Sequence, residues 1–181
     1  MYEAFVALCM GVGLSAAAGF RIFLPPFLLS LVIKFGNLNL NLEGTSFEFF
    51  ESDITIFLLG AAVIAETLGY YIPWVDNLLD SVATPAAIIA GTGMTAMLLG
   101  EEMNPVLQWS LAIIAGGGVS AGIQGATVVT RGASTVVTGG VGNPIVSTIE
   151  NIAALFFALF ALILPFLAAF GAVLLLSLIH I

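Results

Sequence analysis

The sequence predicts an all-α membrane protein of about five transmembrane helices, several of them kinked or discontinuous. Three observations predict it. Of 181 residues, 60% are hydrophobic and only 8% charged, and the mean hydropathy of +1.17 lies far outside the range of a soluble domain. Apolar runs close to the roughly 20 residues that cross a bilayer recur along the chain. Short polar connections and prolines separate them, so residues 1–175 read as a single polytopic membrane domain.

The first span covers residues 4–33, longer than a bilayer requires, and Pro25-Pro26 interrupt it. A proline inside a helix leaves the carbonyl four residues earlier without its hydrogen bond, here those of Arg21 and Ile22, so a kink or break is expected. The opening MYEAFVALCM lacks the basic region of a secretory signal, and the first span is expected to be retained. Residues 34–53, KFGNLNLNLEGTSFEFFESD, read as a solvent-facing loop with a segment resting at the interface.

The second span, 54–72, is apolar apart from Glu66. After Pro73, Asp76 and Asp80 stand four apart and share a helical face, with a kink expected at Pro85. Glu101, Glu102 and Asn104-Pro105 mark a turn. The fourth span, 106–130, holds GGGVSAGIQGA, small residues that let membrane helices approach closely. Residues 131–143, RGASTVVTGGVGN, read as a polar Gly/Ser/Thr-rich connector. A last long helix begins at Pro144, a favoured first-turn proline, carries Glu150 and is expected to kink near Pro165. Aligning GVGLSAAAG (11–19) with GGGVSAGIQ (116–124) matches Gly11, Gly13, Ser15 and Ala16 with Gly116, Gly118, Ser120 and Ala121. In a five-span protein these copies form a weak inverted repeat. The final LSLIHI, residues 176–181, back-translates to the end of a transposon-type sequencing adapter. It is expected to be a non-native tail that replaces the native C-terminus and leaves His180, the only histidine, without a role.

Three basic residues stand against eleven acidic ones, a net charge of -8. No polybasic patch exists for nucleic acid or anionic lipid. Cys9 has no cysteine to pair with. With no HExxH, no Cys/His cluster and no nucleophile beside a base, no metal, no cofactor and no enzymatic activity are expected. What remains is charge inside apolar helices. A guanidinium at the bilayer centre costs at least ~2.5 kcal/mol, so Arg21 must snorkel, line water or meet a carboxylate. The expected polar centre is Arg21, Glu66, Asp76, Asp80 and Glu150, with Arg21 held first by Glu66 and second by Asp80. Arg131 with Ser134, Thr135 and Thr138 is the candidate anion-binding loop, since Gly-rich turns and a following helix N-terminus present backbone donors.

The segments GLSAAAGFRIFLPP, AETLGYYIPWVDNLLDSV and GGVGNPIVSTIENIAAL together resemble the bacterial membrane-protein family catalogued as domain of unknown function 4126, over nearly the whole chain. The resemblance implies that Arg21, Pro25, Glu66, Pro73, Asp76, Asp80, Asn143, Pro144 and Glu150 occupy the family's motif positions. It also implies a multi-pass protein of the bacterial cytoplasmic membrane, and it supplies no activity. Midplane charges beside discontinuous helices are where secondary transporters bind substrate, so a small transporter or channel-like protein for a small solute or ion is expected. The alternative is a non-transporting scaffold or assembly subunit whose buried charges are structural. Besides the lipid bilayer, a homo-oligomer or membrane-protein partner is expected, because so short a chain encloses no pathway alone.

Overall fold

The computed structural model describes residues 2–36, 38, 40, 42–72 and 75–180. Its helices are α1 (Tyr2–Phe20), α2 (Leu24–Phe35), α3 (Asp53–Gly69), α4 (Val75–Leu99), α5 (Pro105–Thr138), α6 (Asn143–Ile163) and α7 (Pro165–Ile179), with a short 3-10 turn at Glu48–Glu51. Four of them, α1, α4, α5 and α6, are long and apolar enough to cross a membrane. The all-α membrane fold is therefore present. Two of the five expected spans are each two helices.

The first of these is the span across Pro25-Pro26. Helix α1 ends at Phe20, and α2 starts at Leu24 with both prolines in its first turn, where a missing N–H breaks no bond. The chain then folds back. Lys34 pairs with Asp53, Phe27 lies against Gly60, and the Ile22 N–H meets Glu66, so α2 runs antiparallel to α3. In turn α3 ends where α4 begins, with Tyr70 on Asp80, and α4 is antiparallel to α1, with Ser15 on Gly91 and Gly11 against Thr95. Hence α1 and α2 form a hairpin, and Leu29 of α2 joins Leu14, Ala17 and Ala18 of α1 in one apolar core.

The second is the last span, which also turns back, at Leu164-Pro165. Phe166 meets Phe5, and Ala168 lies near Gly13, so α7 runs parallel to α1. By contrast Pro85 lies inside an uninterrupted α4. Helix α5 begins on a capped turn, where Asn104 Oδ1 accepts from the Val106 and Leu107 N–H groups, passes through a π-helical segment at Ala112–Gly117 and continues to Thr138. The expected connector 131–143 is thus helical over 131–138. Only Gly139, at φ +65°, and the next three residues turn the chain. Thr135 and Thr138 donate to the Arg131 and Ser134 carbonyls of their own helix, which satisfies their hydroxyls without a loop. The 34–53 connection is less exposed than its composition implies, because Leu42 and Phe50 are buried in the core. Residues 37, 39, 41, 73 and 74 lie outside the described residues, and with them the expected motif proline Pro73.

The expected repeat also changes sense. Gly11 and Ser15 of α1 descend along Thr95 and Gly91 of α4, and so do Gly116 and Ser120 of α5. The two aligned segments are therefore parallel, not inverted, because the α1/α2 hairpin adds one crossing between them. Three helices meet at this point with no room for a methyl group. A Cβ on Gly91 would stand 2.5 Å from Ser120 Oγ and 2.9 Å from the Gly116 carbonyl oxygen. Ser15 Oγ donates to the Gly91 carbonyl at 3.1 Å and lies 3.2 Å from Thr95 Oγ1. Small residues thus bring the backbones together and hydroxyls tie them, the usual means of helix association in lipid.

These directions sort the charges. Glu3, Glu43, Glu48, Glu51, Asp53, Glu101 and Glu102 are exposed at the end holding the start of α1 and the finish of α4. The other four acids, Glu66, Asp76, Asp80 and Glu150, are buried toward the opposite end.

Gly91→Ala is expected to lower stability in thermal unfolding by about 1–3 kcal/mol, the usual cost of overpacking. Gly93→Ala, whose Cβ would meet nothing within 4 Å, is expected to gain about 0.5–1 kcal/mol from helix propensity.

Candidate functional site

Arg21 is the first residue after α1, and its own N–H closes the last turn on the Ala17 carbonyl at 2.9 Å. Its side chain is 1% exposed and faces α6. There Nη1 lies 3.2 Å from Glu150 Oε2, Nη2 donates to the Ser147 carbonyl at 3.0 Å, and Nε donates to Asn151 Oδ1 at 2.5 Å. The remaining contact is to the Phe20 carbonyl, at 3.3 Å from Nη1, so the chain break does supply one acceptor. The partner differs from the expected one: Glu150 holds Arg21, and Glu66 does not.

Glu66 answers the broken backbone instead. Its Oε1 accepts from the Ile22 N–H at 2.8 Å and its Oε2 from the Phe23 N–H at 3.2 Å. These donors precede the first turn of α2, so a carboxylate here satisfies orphan N–H groups and meets the positive end of the helix dipole.

Arg131, expected in a loop, is 0% exposed and lies on the inner face of α5. Its Nη1 is 2.7 Å from Asp80 Oδ1, its Nε is 3.3 Å from Glu150 Oε1, and its Nη2 donates to Thr127 Oγ1 at 3.2 Å. Glu150 therefore bridges two guanidinium groups. Both lie over the Tyr70 ring: each guanidinium carbon is 4.2 Å from its centre, and the phenol donates to Asp80 Oδ1 at 3.3 Å. One aromatic ring with both cations over it, and a carboxylate shared by both cations, compensates charges that neither contact alone would.

Asp76 lies beside this group. It accepts from Asn143 Nδ2 and, at 2.8 Å, from the Asn77 N–H, while Asn143 Nδ2 also reaches Thr135 Oγ1 at 2.9 Å. The structure thus gathers Arg21, Glu66, Asp76, Asp80 and Glu150, and adds Arg131 and Thr135 from the other candidate group. Ser134 and Thr138 stay at the helix end, where Thr138 Oγ1 accepts from the Gly142 N–H. The expected anion-binding loop is not formed. Each charged residue of the centre lies within about two turns of a helix end.

Sequence reasoning missed Tyr70, Asn151 and Gln124. Gln124 is 1% exposed, and its Nε2 has no partner among the described residues. A readable signal existed: Ser120, Gln124, Thr127 and Arg131 recur at steps of four, three and four, one helical face running straight into the supposed connector.

A cavity of about 230 Å³ reaches the edge of this centre, lined by Arg21, Leu24, Val63, Glu66, Thr67, Asn151 and Leu155. It lies between α2, α3 and α6. The helices beside it present exposed apolar side chains, Ile64 and Leu68 on α3 and Ile152 and Leu155 on α6, so it faces the lipid side of the bundle.

An apolar helical bundle with a buried cluster of two arginines and four acids is a polytopic membrane protein. Its family follows from the chain itself: the family model described as a domain of unknown function (DUF4126) matches residues 8–181, and the protein belongs to that family. No curated protein and no solved structure matches it.

Removing the shared carboxylate leaves two guanidinium groups around one ring, and Glu150→Gln is expected to cost about 3–5 kcal/mol in thermal unfolding. In double-mutant cycles with Arg21→Gln, Glu150→Gln is expected to couple by about 0.5–3 kcal/mol and Glu66→Gln by clearly less. Tyr70→Leu is expected to lose about 2 kcal/mol with the ring, and Tyr70→Phe well under half of that. The same unfolding measurement checks both.

Proposed function

We infer that the protein is a small membrane carrier, working in a bacterial cytoplasmic membrane without enzymatic activity, that takes a solute at the edge of its charged centre. The observation that carries this reading is the cavity reaching Arg21 and Glu66. Charges used only to fasten helices would be sealed on every side. Here the Gly91 contact already fastens α1, α4 and α5, yet two buried side chains of the centre contribute to the wall of a cavity beside a chain break. Broken helices with their ends turned toward a site are the way membrane carriers present backbone and charge to solutes.

A second reading, a non-transporting scaffold, draws on the other half of the centre. Arg131, Asp80 and Glu150 form a closed group with Arg131 at 0% exposure.

The two separate on access to water. A carrier must present its cavity to the aqueous phase during its cycle, even when one conformation faces lipid. With Cys9→Ala as background, Thr67→Cys in proteoliposomes is expected to react with a membrane-impermeant thiol reagent. If Thr67→Cys stays inert while Val141→Cys, exposed in the turn at the same end of the bundle, reacts, the carrier reading is wrong.

A further inference from the structure

The charges of the centre do not balance. Two guanidinium groups face four carboxylates, all buried. Asp80 and Glu150 lie in ion pairs with the arginines, and Asp76 is bonded to Asn143 and to the Asn77 N–H. Glu66 stands apart. Among the described residues no cationic group forms an ion pair with it, and what it has is two backbone N–H groups and the positive end of α2, which carries only about half a charge. Of the carboxylates outside the ion pairs, Glu66 is the one in the cavity wall. Each of its oxygens accepts one N–H bond and retains a second lone pair.

Arg21 borders the same cavity but is not available in the same way. Glu150 Oε2, 3.2 Å from Nη1, meets its charge, and contacts to Asn151, to the Phe20 and Ser147 carbonyls and to Glu150 take four of its five N–H groups, leaving one on Nη2. The rest of the wall is apolar at Leu24, Val63 and Leu155. About 230 Å³ holds roughly eight groups the size of a water molecule, enough for a polar head and a short apolar chain.

We propose that this cavity is a binding site for an amphiphilic organic cation, a protonated alkylamine, entering from the lipid side, with its ammonium on Glu66 and its chain along Leu24, Val63 and Leu155. The proposal rests on the carrier reading for its place in a transport cycle, and on the cavity alone for binding. An ammonium supplies the donors that the free lone pairs of Glu66 accept and the charge that the centre lacks. An alkyl chain fills the apolar wall without leaving a polar group unpaired in lipid.

The test uses three probes of equal chain length, octylamine, octanol and octanoate, added at pH 7 to the protein in nanodiscs and read by native mass spectrometry of the released protein. Octylammonium is expected to be retained at least tenfold better than octanoate, and to lose at least tenfold in Glu66→Gln. Should Glu66→Gln fail to fold, Leu155→Trp fills the cavity without touching an ion pair and is expected to lose octylammonium to the same extent. Preference for octanoate would make Arg21 the binding group and overturn the proposal. Equal retention of all three probes, or retention unchanged in folded Leu155→Trp, would show partition into lipid and overturn it too. If octylammonium is lost from the variants but Thr67→Cys stays inert to the aqueous reagent, the site stands and the carrier reading falls. If Thr67→Cys reacts and octylammonium is not retained, the reverse holds.

Discussion

Glu150 stands between two arginines that would otherwise repel each other in a medium with little water to screen them. The arrangement around it, with Arg21 on one carboxylate oxygen, Arg131 on the other and both guanidinium groups over Tyr70, constrains four helices at once. Helix α6 must bring Glu150 to the end of α1. Helix α5 must stay helical past residue 130 to bring Arg131, and α4 must enter at the same level to supply Asp80. Since the penalty for leaving any one of these charges unpaired in the bilayer is several kcal/mol, the helix ends are registered by electrostatics where the helix middles are registered by close packing.

Those two kinds of contact divide the bundle along its length. At the level of Gly91 and Thr95, glycine and hydroxyl side chains let α1, α4 and α5 touch backbone to backbone, and the hydroxyls bond carbonyls within or across helices. Toward the opposite end the chain breaks at residues 21–23, and every backbone group released by a break in lipid must find a partner. Glu66 supplies two of those partners. A carboxylate is therefore spent on backbone N–H groups, which is why it is not the one that holds Arg21.

Much of this was legible. Composition gave the membrane class, and charges inside apolar runs marked Arg21, Glu66, Asp76, Asp80 and Glu150 as one buried group. Three features were not. Pro25-Pro26 were read as an insult to a helix interior, but two prolines serve equally well in the first turn of a new helix, and local sequence does not distinguish a kink from a hairpin. The residues 131–138 look like a connector by composition because Gly, Ser and Thr are poor helix formers in water. In a bundle, Thr135 and Thr138 bond the carbonyls four residues earlier in their own helix, and that preference is overridden. Which acid pairs with which arginine depends on the level at which each helix enters, a tertiary quantity. An added hairpin crossing reversed the inferred sense of the repeat for the same reason.

The end-on position of the centre bears on what it can handle. Toward the acidic end, the inner face of α5 offers Thr127, Gln124 and Ser120, and then the contact at Gly91, where not even a methyl group fits. A hydrated ion moving along that face would have to part three helices that small residues hold in contact. The other direction is short, about two helical turns to a neutral end formed by the turns after α3 and α5, and the cavity joins the centre to the lipid side rather than to the packed core. The bundle axis is thus closed where small residues bring three helices together, while the cavity opens beside the exposed apolar side chains of α3 and α6.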